Sequence, residues 1–365
     1  MVWRRGTVEG DGDEIEPAMP WKAAVPAESA AERRRVVLEN WDDELTKDEL
    51  VGKPPVDVVA RRERQRAQLR RVANLVLFGL AVLGAAAGIA VAWMHVMSDP
   101  LADAHAYYGA ASRLNAGQPL YPPGIDPSSN QIYLYPPMLA VLLRPLALLP
   151  FAWFALVWEL VIVASFVLLL RHLGFRRRST WIAVGLLGVP IGWALSVAQA
   201  HIPMTLLIAL GQPWSIALAA NLKLFPVLIA LWWIGRRDFE SFIAFAVWTL
   251  LLVLGQIVLE APGTFAFFQS VGFAQLGEVR NISPFVISPL AWIALVMVGG
   301  LVVVLTARTR WGWPLAVTLA TLAPPRLLVY MLTSLIAAIR QPRLAGEPDP
   351  DDVSDPAAVY SRATR

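Results

Sequence analysis

Residues 60–97 read ARRERQRAQLRRVANLVLFGLAVLGAAAGIAVAWMHVM: six arginines between Arg61 and Arg71, then a run from Val72 to Met97 free of Asp, Glu, Lys and Arg. A stretch of about 20 apolar residues is long enough, as a helix, to cross the hydrocarbon core of a bilayer. Arginines flanking a first span stay on the cytoplasmic side, so this segment predicts an outward-going helix with the N-terminus in the cytoplasm.

The rest of the chain repeats the pattern. Hydrophobic residues make up 56% of the 365 and charged residues 16%, which is too apolar for a water-soluble enzyme of this length. Charge is also segregated: 29 charged residues lie in 1–72, and only 21 in the 267 residues of 73–339. Further basic clusters stand at Arg171 with Arg176–Arg178, at Arg236 and Arg237, at Arg308 and Arg310, and at Arg340 and Arg343. If each faces the cytoplasm, an even number of crossings separates neighbours. Spans are then expected near 74–96, 151–170, 180–198, 214–234, 241–260 and 285–307.

The interval 311–339 is too short for two full spans, but Pro324 and Pro325 can divide it into half-helices. The apolar stretches 136–149 and 202–211 are short enough to be re-entrant or interfacial. The expected fold is an all-α, polytopic integral membrane protein with seven or eight crossings, its membrane domain covering 73–339. A basic juxtamembrane segment at 61–72 precedes it, and disordered cytoplasmic tails at 1–60 and 340–365 flank it. Within the first tail, Val37, Trp41 and Leu45 have helical spacing and predict a short amphipathic helix.

Composition removes several chemistries. With no Cys, thiolate catalysis and Cys-ligated metals are excluded. The four His are scattered, so no metal site has helical spacing. Neither a Walker loop nor a GxSxG elbow is present. The net charge of +3, with acidic and basic residues mixed, gives no footprint for nucleic acid. The charged start, MVWRRGTVEGDGDEIEP, does not resemble a cleavable signal peptide.

Three segments fall outside the expected spans: 97–135, the surroundings of Gln199 to His201, and 261–284. The first holds Asp99, Asp103, Asp126 and five of the seven tyrosines. Aromatic faces beside carboxylates suit sugar rings; an interfacial aromatic belt with solvated Asp is the alternative. Lys223 sits mid-span in 214–234, where an ionised group costs roughly 2.5–3.5 kcal/mol, so it calls for a partner or must snorkel. Glu159 reads as a hydrogen-bonded structural residue of its span. Gln199 and His201 stand at the outer end of a helix. Asn281 reads as a helix-start residue, and Arg326 stands in the Pro-Pro-Arg break.

The string Asp103-Ala-His-Ala-Tyr107, with Gly117, Tyr121 and Leu134-Tyr135-Pro136-Pro137, resembles the first extracytoplasmic loop of glycosyltransferase family 87. So do Gln199, Lys223-Leu-Phe-Pro226, Arg280-Asn281-Ile-Ser283, and Pro324 followed by Tyr330, over about 75–340. Ala198 stands where that family has Gly, and His201 where Asn is usual. The resemblance implies a GT-C-type bundle that moves a hexose, mannose in the family, from polyprenyl phosphate to a lipid- or glycan-linked acceptor; no cofactor and no metal-ligating residues are expected. It implies Asp103 as the base, Lys223 and Arg326 at the donor phosphate, and Tyr107, Tyr135, Gln199, His201, Asn281 and Tyr330 around the substrates. Competing readings are a transporter or flippase of a lipid-linked sugar, for which no internal repeat is found, and a catalytically silent membrane subunit.

Overall fold

A computed structural model describes residues 56–122, 132–269, 276 and 280–342. The Val37/Trp41/Leu45 helix, Asp126 and nearly all of both expected tails lie outside the described residues. The chain divides into Met1–Ala73 and Asn74–Arg365. The first unit contributes the basic start of a helix that begins at Val56, a few residues inside the expected tail. The apolar part of that helix and all later helices belong to the second unit.

All regular structure among the described residues is helical. In chain order the helices are α1 (Val56–Ser98), α2 (Ala102–Asn115), α3 (Pro137–Leu143), α4 (Phe151–Leu173), α5 (Arg178–Leu186) and α6 (Gly188–Ser196). Then come α7 (His201–Leu210), α8 (Pro213–Leu222), a 3₁₀ turn (Phe225–Ile229), α9 (Ala230–Arg236) and α10 (Phe239–Gln269). The chain closes with α11 (Pro284–Ile287), α12 (Pro289–Thr306), α13 (Gly312–Leu322) and a 3₁₀ helix (Val329–Ile339).

Among the described residues, four helices are long and apolar enough to cross a membrane, or five if α5 and α6, bent by 71°, form one span. Their outer faces carry residues such as Leu83, Ile89, Leu160, Val258 and Leu301, all more than half exposed. So much bare apolar surface requires lipid around it; this is a multi-pass membrane protein. The other crossings expected between arginine clusters fall on shorter apolar helices.

Prolines set the breaks. A proline ring collides with the carbonyl four residues upstream and leaves that carbonyl without its donor. Pro190 stands four residues after Leu186, where α5 ends, and Pro226 four after Leu222, where α8 ends. The expected single spans 180–198 and 214–234 are therefore each divided. Lys223 lies in the extended break of the second (φ −156°, ψ 112°), not in mid-helix. Pro262 accompanies a kink in α10 at Glu260 (φ −155°, ψ 64°), at the far end of the expected span 241–260. Pro203 and Pro314 sit in first turns of α7 and α13, where a missing N–H costs nothing.

Two apolar clusters fill the interior. One gathers Tyr107, Tyr133, Phe154 and Trp158, and the other Trp232, Trp233, Trp313 and Ile216. Small residues bring α1 against the bent pair: Gly84 and Gly88 meet Gly185, Gly188 and Gly192 so closely that a Cβ on any of these would fall on backbone of the facing helix. Two GxxxG faces, 84–88 and 188–192, thus pack on each other. Gly79 meets nothing within 4 Å. Gly188→Val should cost about 1–3 kcal/mol by overpacking and lower the thermal unfolding midpoint in detergent, while Gly79→Val leaves it unchanged.

Candidate functional site

The site is built from chain breaks. Helix α2 opens at Leu101, whose left-handed backbone (φ 59°) turns the chain sharply, and no side chain caps it. Asp103, in the first turn, is anchored by its own N–H to the Val197 carbonyl at 3.0 Å. Its carboxylate does not cap the helix; Oδ2 accepts from Gln199 Nε2 at 3.0 Å. Gln199 follows Ala198, also left-handed at φ 61°. That backbone accounts for the glycine the resembled family carries there, since only glycine adopts it without strain. Trp158, which no motif in the sequence singles out, holds this turn by donating from Nε1 to the Ala198 carbonyl at 2.9 Å.

Gln199 Oε1 accepts from the hydroxyls of Tyr107 at 2.5 Å and Tyr135 at 2.6 Å. The Tyr330 hydroxyl lies 3.5 Å from that of Tyr135. Lys223 Nζ sits over both of these rings, 5.4 Å from the centre of Tyr135 and 5.2 Å from that of Tyr330. Its ammonium is buried with no hydrogen-bond partner among the described residues.

Beside it opens a cavity of about 120 Å³ whose lining includes the polar Tyr135, Lys223, Arg326 and Tyr330 and the apolar Leu224, Phe225, Phe267 and Phe268. Leu224 and Phe268, 41% and 52% exposed, stand on the apolar outer surface. Phe267 and Phe268 reach the cavity because α10 continues past its kink, which no pattern local to them announces. Asp103 does not line this cavity but connects to it through Gln199 and Tyr135. Burial pushes the Asp103 carboxyl up to about 7, against the pull of Lys223, Arg326 and the Gln199 hydrogen bond; Asp99 adds a smaller upward push.

The other expected residues divide. His201 Nε2 lies 2.9 Å from the Met331 carbonyl and 2.8 Å from Ser334 Oγ, in a small space that Lys223 also lines. Asn281 turns inward: Nδ2 donates to the carbonyls of Leu276 at 2.8 Å and Pro325 at 2.9 Å, and Oδ1 accepts from the N–H groups of Ser283 at 2.9 Å and Leu327 at 2.8 Å. Both donors and both lone pairs are occupied. Ser283 adds a bond to the Pro324 carbonyl at 3.0 Å. Asn281 and Ser283 therefore staple the Pro324–Pro325–Arg326 break that delivers Arg326 to the cavity. Glu159 stands partly buried on α4, apart from these groups. Among the described residues, no three His, Asp or Glu side chains converge on a possible metal position.

A protein-family model, that of glycosyltransferase family 87, matches residues 133–343, more than half the chain. The chain belongs to glycosyltransferase family 87. The match takes in Tyr135, Gln199, His201, Lys223, Asn281, Arg326 and Tyr330, and begins after Asp103 and Tyr107. The chain is also 26% identical over 196 residues to a polyprenol-phosphate-mannose-dependent alpha-(1-2)-phosphatidylinositol pentamannoside mannosyltransferase of Mycolicibacterium smegmatis (strain ATCC 700084 / mc(2)155). That alignment covers 48% of this chain and 46% of the relative, so the chain spans about half the length of the curated relative it matches. No solved structure matches it.

Asn281→Ala strands two carbonyls and two N–H groups at once. A buried group left unpaired costs about 1–3 kcal/mol, so the unfolding midpoint should fall clearly; Asn281→Asp, which keeps the acceptors, should fall less. Full stability with lost transfer would return Asn281 to the substrate.

Proposed function

We propose that this family 87 protein is an inverting membrane glycosyltransferase that moves mannose from a polyprenyl phosphate to a lipid- or glycan-linked acceptor outside the cytoplasm. Lys223 carries the reading. A buried ammonium without a hydrogen-bond partner among the described residues, beside Arg326 and next to an apolar mouth, suits a phosphate joined to an isoprenoid chain. The apolar rim at Leu224 and Phe268 suits the chain itself. The mannosyl donor is suggested by the name of the mycobacterial relative and by the family.

In this reading the acceptor hydroxyl attacks the anomeric carbon, and the carbon–oxygen bond to phosphate breaks with its electron pair going to the phosphate. Lys223 and Arg326 neutralise the charge that develops there. Asp103 takes the hydroxyl proton as general base, and no covalent enzyme intermediate forms. A β-linked donor then yields an α-linked product. The reading places the site outside the cytoplasm and the arginine clusters within it. Contacts of Arg340 with the His172 carbonyl and of Arg308 with the Arg236 carbonyl support it by drawing separate clusters together.

A base must be ionised, and the Asp103 carboxyl titrates near 7. Transfer from a synthetic polyprenyl-phosphate mannose should therefore rise with pH through about 7 as kcat/KM. Asp103→Asn should lower turnover by about 10²–10⁴-fold and leave donor binding in place. Near-normal turnover in this variant, with turnover lost in Asp99→Asn or Asp126→Asn, would move the base to another carboxylate of the same loop. Lys223→Met should raise the donor KM, with Lys223→Arg retaining part of the affinity; donor kinetics unchanged in Lys223→Met would reduce it to a packing residue.

A further inference from the structure

We infer that Gln199 is a positioning residue for Asp103 rather than a sugar contact, and that Tyr107 and Tyr135 decide which way its amide faces. The inference rests on Asp103 being the base.

An ionised Asp103 carboxylate can only accept, so Gln199 turns its NH₂ toward it and its carbonyl toward the tyrosines. The Tyr107 oxygen already accepts the Ala200 N–H at 3.2 Å, so its own proton is free to be donated to Gln199. Tyr135 donates to the same atom. Two hydroxyl protons require an oxygen with two lone pairs; the amide NH₂, having only donors to offer, cannot serve. Oε1 therefore faces the tyrosines, and Nε2 is left facing Asp103. The reverse orientation would set Oε1 against the carboxylate, oxygen against oxygen, and aim two hydroxyls at an NH₂.

Nothing around the amide gives way easily. Gln199 and Tyr107 are fully buried. The Tyr107 ring is met edge-on by Trp158, Tyr133 and Tyr135 at centroid distances of 5.8, 6.3 and 5.4 Å. The backbone beneath Gln199 is pinned twice: Val197 accepts from the Asp103 N–H, and Ala198 from the Trp158 indole. A buried amide with three hydrogen bonds to protein keeps a single N–H and has no exposed surface through which a sugar hydroxyl could reach it. What it does is occupy Oδ2 of Asp103 and leave Oδ1 for the acceptor proton.

Its N–H also favours the ionised carboxylate, working with Lys223 and Arg326 against burial and Asp99. Tyr107, Tyr135 and Tyr330 are the other titratable groups turned toward this centre, and burial keeps the first two protonated as donors.

The test is the pH profile of transfer from synthetic polyprenyl-phosphate mannose by the full-length protein in detergent. Gln199→Leu should move the acid limb of kcat/KM upward by about one pH unit. That is a roughly tenfold loss near pH 6 that recovers at high pH, with the donor KM unchanged. Gln199→Glu, which keeps the size but sets a second carboxyl against Asp103, should shift the limb at least as far. Tyr107→Phe, the variant least apt to disturb folding, frees the amide to turn and should shift it in the same direction by less. Profiles superimposable on the parent's, with Asp103→Asn inactive, would leave the base standing and overturn the positioning role. A raised donor KM at an unchanged profile would make Gln199 a substrate contact instead. Full turnover in Asp103→Asn would remove the base, and this role with it.

Discussion

A helix that stops inside an apolar medium leaves carbonyl and amide groups that water cannot satisfy. Much of this architecture depends on where that happens and what fills the gap. Prolines end α5, α8 and α13 and kink α10, and at these breaks side chains take over the hydrogen bonding. Asn281 and Ser283 serve the Pro324–Pro325 break, with Trp292 donating to the Ala323 carbonyl at 2.7 Å beside it. Glu260 caps the second half of its own kinked helix through the Gly263 N–H at 3.1 Å. Gln256 accepts the Met138 N–H at 3.0 Å and so fixes the start of α3.

The same breaks bring the chemistry together. Lys223 and Arg326 can approach one cavity because both stand in interrupted chain, where a side chain need not follow a helical face. Asp103 reaches Gln199 because two left-handed residues, Leu101 and Ala198, turn their backbones sharply at the point of contact. Such conformations cost about 1–2 kcal/mol for a non-glycine residue and persist only when their surroundings hold them. Here Trp158 and the Asp103 N–H do the holding.

Charged groups in this interior are balanced by few partners. Lys223 has two aromatic faces and no hydrogen bond among the described residues, while the Asp103 carboxylate has one amide and the field of two cations. A fully neutralised cluster would be more stable and less useful, since a group already paired has little left for a phosphate or a proton.

The chain's class and the break at Pro324–Pro325 are legible in the sequence, whereas Pro190 and Pro226 stand inside stretches that read as single spans and are divided. Apolar length, arginine clusters and the collision of a proline ring with the carbonyl four residues upstream are local properties, and each acts whatever the rest of the fold does. The polar residues that gather there are legible too: Asp103, Gln199, Lys223, Asn281 and Arg326 all stand at or beside the candidate site. The direction in which each polar group turns is not. Asn281 reads from the sequence as a substrate or helix-start residue and is a staple; Lys223 reads as mid-helix and lies in a break; Gln199 reads as meeting a sugar and faces Asp103, 96 residues away. The glycine contacts of α1 and the reach of Phe267 past the kink are equally hidden. A buried hydrogen bond is chosen by which donors and acceptors meet after packing, and partners separated by tens of residues in sequence are brought together only by the tertiary fold.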